Sequence, residues 1–191
     1  MTKKRTLDQD KVLTAATNIV RNEGLKTLTL PKLAHELDIR TQSLYNYIAN
    51  LDELISLIGA RLVYKLRQKI KDGIVGLSGT EALIKFADIA RDFLIDEGTL
   101  GIVIFYLHEY PKESTFNHEA QMLVELLNQV IDSSHIDQGN DEPFSHALIG
   151  SVLGFVFIET SGFYKDETFA SSTKSYHQMI NRIITPSGEL A

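Results

Sequence analysis

The chain contains no cysteine and no tryptophan, and only 4 prolines in 191 residues. Without cysteine there is no disulfide framework and no thiolate nucleophile. Folding must rest on an apolar core, which a chain of this length can bury unaided. Long apolar runs are also missing. The longest, residues 147–158, is interrupted by Gly150, Ser151 and Gly154 and is shorter than the ~20 residues that cross a bilayer, so no membrane span is expected. The basic start Met1–Arg5 is followed by no apolar stretch of the secretory kind, and the expected location is cytoplasmic.

Enzyme signatures are absent too. No Gly-x-Ser-x-Gly elbow, phosphate-cradling glycine loop or dinucleotide fingerprint occurs. A di-iron bundle needs two Glu-x-x-His motifs, and Asp132-Ser133-Ser134-His135 is the nearest approach. His108-Glu109 and His118-Glu119 begin like a zinc-protease motif but lack its second histidine. Neither an enzyme, a metal site nor a cofactor is expected.

Positive charge is short overall, with a net charge of −6, yet it is unevenly placed. Residues 1–71 carry 13 Lys and Arg against 7 Asp and Glu, whereas residues 72–191 carry 6 against 18. A basic head on an acidic body suits a protein whose head alone meets a polyanion, although charges that merely solvate helix faces give the same totals.

Apolar spacing of three and four residues predicts an all-helical chain. A first helix spans about 8–23, between a capping box at Thr6-Leu7-Asp8-Gln9 and Gly24. A second spans 30–37, with Thr29 as N-cap and Pro31 in its first turn. A third, short helix covers 41–48 after the tight connection Asp38-Ile39-Arg40. Asn50-Leu51-Asp52-Glu53 caps a long helix reaching about Lys71, and glycines at 73, 76 and 79 break the pattern. Further helices are expected near 80–96, 100–109, 114–134, 144–163 and 169–184. The domains read as a helix-turn-helix head over 1–50, a connecting helix over 51–71 and a helical ligand-binding and dimerisation domain over 72–191.

Two short helices joined by a tight turn form a helix-turn-helix, whose second helix presents its N-terminal side chains to base edges in the major groove. Arg40, Thr41, Gln42 and Ser43 are the polar residues at that position: Gln42 suits an adenine edge, Arg40 guanine or phosphate, and the Thr41 methyl thymine. Tyr45, Asn46, Tyr47 and Thr29 suit phosphates, and the tail Lys3-Lys4-Arg5 suits the backbone or minor groove. The plain alternative is that the tyrosines pack and that Thr41 and Ser43 only cap.

Val12 to Val20 with Glu23-Gly24, then Leu28-Thr29-Leu30, Leu33-Ala34 and Leu37, then Ile39 to Ile48 with Ser43-Leu44-Tyr45 at its centre, then Leu54, together resemble the N-terminal signature of TetR-type transcriptional regulators. The resemblance covers residues 8 to about 58. It implies a homodimer with two heads, a palindromic double-stranded DNA operator, and a C-terminal domain that dimerises and binds a small-molecule inducer, usually with repression as the outcome. Carried onto matching positions, it implies phosphate contacts at Thr29, Tyr45 and Tyr47 and base contacts at Arg40, Thr41, Gln42 and Asn46. Three positions depart from the commonest pattern: Asp38 stands where glycine is usual, Tyr47 where histidine is frequent, and Leu51 where lysine grips a phosphate.

In the body, Ala147, Gly150, Ser151, Gly154 and Ile158 place small residues on one face of a helix whose other faces are apolar too. That face is expected to meet a symmetry mate, together with Tyr176, Ile180 and Ile183 of the last helix, in a four-helix dimer bundle. A central helix of a monomeric core would look similar. Phe86, Phe93, Phe105, Tyr106 and His108 are the candidate inducer contacts, although aromatics at helical spacing more often belong to a core. The other reading of the whole chain is a helical ligand-binding or protein-interaction module without specific DNA binding.

Overall fold

The computed structural model describes residues 7–109, 113–134, 141–163 and 169–185, so Lys3, Lys4 and Arg5 of the expected DNA-contacting tail lie outside the described residues. All regular structure among those residues is helical: α1 (Gln9–Glu23), α2 (Leu30–Glu36), α3 (Thr41–Leu44), α4 (Leu51–Gly73), α5 (Gly79–Glu97), α6 (Thr115–Ser134), α7 (Asp141–Thr160) and α8 (Phe169–Ile184). The chain divides into two compact units, residues 1–63 with 97–120 and residues 64–96 with 121–191. The division falls inside α4.

In the first unit, α1 begins where the Asp8 carboxylate accepts the Lys11 amide at 2.8 Å. That bond, with the adjacent Lys11 ammonium, holds the Asp8 carboxyl below the usual carboxylate range. The helix ends at Gly24, whose φ of 90° favours glycine and whose amide donates to the Val20 carbonyl at 2.9 Å. Val12, Ala16, Ile19 and Val20 of α1, Leu33 and Ala34 of α2, Leu44, Ile48, and Leu54 and Ile58 of α4 are all buried.

Segment 98–109, expected as an α-helix over 100–109, winds as tighter 3-10 turns. Two glycines in its first four residues and the β-branched run Ile102-Val103-Ile104 weaken regular α-helix there. It is tied to the end of α1: Thr99 Oγ1 donates to the Arg21 carbonyl at 2.9 Å, and Arg21 pairs with Glu97 at 2.6 Å. Arg61 of α4 is hydrogen-bonded to Thr14 and paired with Asp10, joining α4 to α1.

In the second unit, Leu83, Phe86, Ala87, Phe93 and Leu94 of α5, Leu148, Val152 and Val156 of α7, and Tyr176, Ile180 and Ile184 of α8 are buried, and α7 packs on α8. Burial pushes the Tyr176 phenol far above its usual range, and nearby Asp88 adds to the shift.

Two substitutions test these local readings. A Cβ at Gly59 would stand 2.5 Å from Phe116 Cδ2 and 3.3 Å from Val103 Cγ1, and Phe116 is wholly buried and cannot swing away. Gly59→Ala is therefore expected to cost about 1–3 kcal/mol in urea unfolding despite alanine's better helix propensity; a gain in stability would contradict the close approach. Asp38, by contrast, sits at φ 52°. Asp38→Gly should raise unfolding stability by up to about 1 kcal/mol, and a clear loss would show that the aspartate side chain stabilises the turn.

Candidate nucleic-acid interface

The turn between α2 and α3 is closed by backbone bonds. Asp38 N donates to the His35 carbonyl at 3.1 Å and Ile39 N to the Ala34 carbonyl at 3.0 Å, the paired closure of a helix whose next residue is left-handed. This explains why Asp38 occupies a position where glycine is usual: the conformation is kept, and aspartate is among the few other residues that adopt it. At the other end of α2, Thr29 is extended, and its hydroxyl oxygen accepts the Lys32 amide at 3.3 Å. Its exposed O–H stays available to donate.

α3 is shorter than expected. Only Thr41–Leu44 is regular helix; residues 45–47 continue as turns, with Tyr47 N donating to the Leu44 carbonyl at 2.8 Å and Ile48 N to the same carbonyl at 3.1 Å. The expected span of 41–48 overreached because tightening to i→i+3 bonds keeps Leu44 and Ile48 buried without a second α-helical turn. Gln9 of α1 donates through Nε2 to the Tyr47 carbonyl at 2.9 Å and fixes this end to α1. Sequence reading missed that tie, because Gln9 looked like a capping residue.

Around the buried Leu44, Arg40, Gln42, Tyr45 and Asn46 are exposed, Tyr45 by 55% despite its ring, while Thr41, Ser43 and Tyr47 are half-buried. The side chains of Arg40, Gln42, Tyr45 and Asn46 take no intrachain partner among the described residues. An unpaired arginine and a solvated tyrosine beside a rigid turn are groups held ready for an external acceptor. Leu51 begins α4 and is half-buried, and Asp52 and Glu53 fill the first turn with negative charge. Asn50 caps that turn by accepting the Glu53 amide at 2.8 Å, and Glu53 accepts the Ala49 amide in return.

In the second unit, the face of α7 expected to meet a symmetry mate is open on its small residues. Ala147, Gly150 and Gly154 are exposed, and Ser151 and Ile158 are half-buried. On α8, Ile183 is half-buried, but Tyr176 and Ile180 are wholly buried within the unit. The surface expected of those two is not theirs, because the Tyr176 ring lies against Phe155 and beneath Arg91. Phe86 and Phe93 are buried, and Phe105 is 38% exposed; nothing is described of the Tyr106 and His108 side chains. A groove of about 510 Å³ in this unit is lined by Lys85, Asp88 and Asp92 of α5 and by Thr173 and His177 of α8, rather than by the aromatic candidates. Sequence reading also missed a buried ion pair between Arg91 and Glu159, although Glu159 is the one charged residue over 143–160.

α7 runs beyond the apolar stretch singled out in the sequence. The apolar run at 147–158 lies within a 20-residue helix, and the part over Pro143–Thr160 is long and apolar enough to cross a membrane by length and composition, with 28% of it buried within the chain. Its interruptions by glycine and serine do not break the helix.

No protein-family model matches the chain. It is 24% identical over 168 residues to an uncharacterised HTH-type transcriptional regulator, YobS, of Bacillus subtilis, covering 87% of this chain and 86% of that one. Among solved structures it resembles BioQ crystallised with its natural double-stranded DNA operator (TM-score 0.67, 22% identity, 94% of this chain and 99% of that one). It also resembles a single-substitution variant of TetR from Acinetobacter baumannii in complex with minocycline (TM-score 0.68, 17% identity, 94% and 95%). The helix-turn-helix with its exposed polar turn, the helical body and these full-length likenesses show that the chain has the fold of the TetR structure and of the other regulators it resembles.

Proposed function

We propose that this protein is a cytoplasmic transcriptional repressor that binds a palindromic operator as a homodimer and is released by a small molecule. The observation that carries the reading is the group Arg40, Gln42, Tyr45 and Asn46, exposed around the buried Leu44 and with side chains that take no partner among the described residues. Gln42 and Asn46 have the amide geometry that reads adenine, and Arg40 that of guanine or phosphate. Thr29, Tyr45 and Tyr47 supply hydroxyls that fix register on phosphates, and Thr41 and Ser43 support the turn from half-buried positions. The operator-bound neighbour supports a DNA partner, and the minocycline-bound neighbour supports a small-molecule partner.

For the homodimer, the support comes from glycines that this chain's own packing does not require. A Cβ at Gly150 or Gly154 would meet nothing within 4 Å, yet each glycine costs a helix about 1 kcal/mol relative to alanine. Exposed Ala147, Gly150, Gly154, Phe157 and Ser161 recur at alternating spacings of three and four, the seam spacing of a helix pair. Small residues there let a second copy of α7 approach closely. The same face accounts for the membrane-like composition of α7, because Leu148, Val152 and Val156 already face the core of a water-soluble body. A ligand preferring one spacing of the two heads would shift the dimer toward or away from the ~34 Å half-site separation of B-DNA.

A second reading, a helical ligand-binding or interaction module without specific DNA binding, is favoured by Leu51 and by charge. The compact unit that holds the head carries 10 Lys and Arg against 11 Asp and Glu.

The two readings separate when the purified protein is mixed with sheared DNA of its source and the retained fragments are sequenced. A short palindrome should be enriched. Gln42→Ala should then weaken binding by about 1–3 kcal/mol and relax one position of each half-site, and Tyr45→Ala should weaken it on all sequences alike. Retention without any preference would favour the second reading. In sedimentation, Gly154→Leu should convert a dimer into a folded monomer, because the side chain has room within its own chain but not in a close helix pair. An unchanged dimer would place the interface elsewhere.

A further inference from the structure

The cluster that neither the head nor the ligand reading uses is the Arg91–Glu159 network. Arg91 of α5 is 2% exposed. Its Nε donates to Glu159 Oε2 at 2.9 Å and a terminal nitrogen donates to Glu159 Oε1 at 2.6 Å, a two-pronged pair between α5 and α7. The same nitrogen reaches Thr173 Oγ1 of α8 at 3.2 Å, Ser172 donates to Glu159 Oε1, and the guanidinium lies 4.8 Å from the centre of the Tyr176 ring. Three helices of one compact unit therefore meet at a single buried cation.

α7 is the helix that most requires such a fixture. It now buries Leu148, Val152 and Val156. A turn of one residue about its axis would bring in Ile149, Leu153 and Phe157, and a turn the other way Ala147, Ser151 and Phe155. The first alternative is as apolar as the present face, so burial of apolar surface does not choose between them. Charge does choose: Glu159 is the only Asp, Glu, Lys or Arg over residues 143–160, and turning it away would take from the buried Arg91 the carboxylate it holds with two hydrogen bonds, leaving the longer 3.4 Å contact with the exposed Asp92. Buried ion pairs contribute little net stability compared with apolar residues of equal volume, and their best-attested use is to fix one arrangement among near-equals.

We infer that the Arg91–Glu159 pair sets the rotational register of α7 and so determines which face that helix offers to a second copy of the chain. Arg91 is thus a positioning residue for dimerisation, and the inference rests on the homodimer reading above. With the pair intact, Gly150, Gly154 and Phe157 face outward. Without it, α7 samples the neighbouring register, and larger side chains enter the seam.

The cysteine-free chain allows a direct test, since an introduced cysteine is its only thiol. Gly154→Cys should form a disulfide between copies under mild copper oxidation, and Phe155→Cys, at a residue that now lies against Tyr176, should not. In the paired variant Arg91→Met with Glu159→Met, the yield at 154 should fall by roughly tenfold or more and the yield at 155 should rise, while the circular dichroism stays helical and the unfolding midpoint is unchanged or higher. A merely structural role would lower the midpoint and leave the ratio of the two yields alone. If the paired variant does not fold, Glu159→Gln, which keeps the shape and one hydrogen bond to Arg91, replaces it with the same expectation in smaller measure. An unchanged ratio in a folded variant overturns the register role and leaves the dimer standing. Failure of Gly154→Cys to cross-link in an otherwise natural chain that sediments as a monomer overturns the dimer reading, and this inference with it.

Discussion

The head depends on the burial of Leu44. A helix of four residues has no stability of its own, because nucleation fixes several dihedrals for very few hydrogen bonds. α3 exists because Leu44 is wholly buried in the same unit as Leu33, Ala34 and the inner face of α1, with Ile48 one turn further on. Burying a leucine contributes about 1.5–3 kcal/mol, enough to hold one turn in a single conformation. Everything polar about α3 follows from that anchor. With Leu44 pointing inward, residues 40, 42, 45 and 46 are carried to the surface, and the left-handed Asp38 aims α3 away from the end of α2.

The helices that could be read directly from the sequence are those in which local signals agree with tertiary packing. The last helix was expected over 169–184 and occupies Phe169–Ile184, because its apolar spacing is regular and nothing within it competes. The caps at Thr29 and Asn50 were also legible, since capping depends on residues three apart in the chain. Three features depended on non-local contacts and were not legible. Residues 97–120 join the compact unit of the head, 3-10 turns replace α-helix at 98–109, and α3 stops at Leu44. Each is decided by what the segment packs against, as when Thr99 ties its stretch to the carbonyls at the end of α1.

The body shows the same limit from the other side. The small-residue stripe of α7 could be seen from spacing alone, and its residues at 147, 150 and 154 are open in the structure. Tyr176 and Ile180 could not be placed, because α8 has apolar residues on more than one side and the choice between them is made by Phe155 and Arg91, on other helices. The charge pattern held the missing signal. A lone glutamate in eighteen otherwise uncharged residues is costly to bury unless it is paired, and a helix that keeps one is held by its partner.

The charge asymmetry along the chain means something narrower than it first suggests. Residues 1–71 are basic, but four of their cations, Lys65, Arg67, Lys69 and Lys71, lie on the part of α4 that belongs to the second unit. The segment 97–120 brings Glu97, Glu109, Glu113 and Glu119 into the first unit, which is left nearly neutral. Of the head's own cations, Arg21, Lys32 and Arg61 are paired with Glu97, Glu23 and Asp10. Arg40 therefore stands out as a cation at the turn without a counter-charge among the described residues, beside neutral hydrogen-bonding groups rather than in a basic field. On the regulator reading, such a head gains little from long-range attraction to phosphate, and its affinity rests on short-range complementarity at a few positions. On the same reading, with the dimer proposed above, the placement of the two heads becomes the decisive quantity.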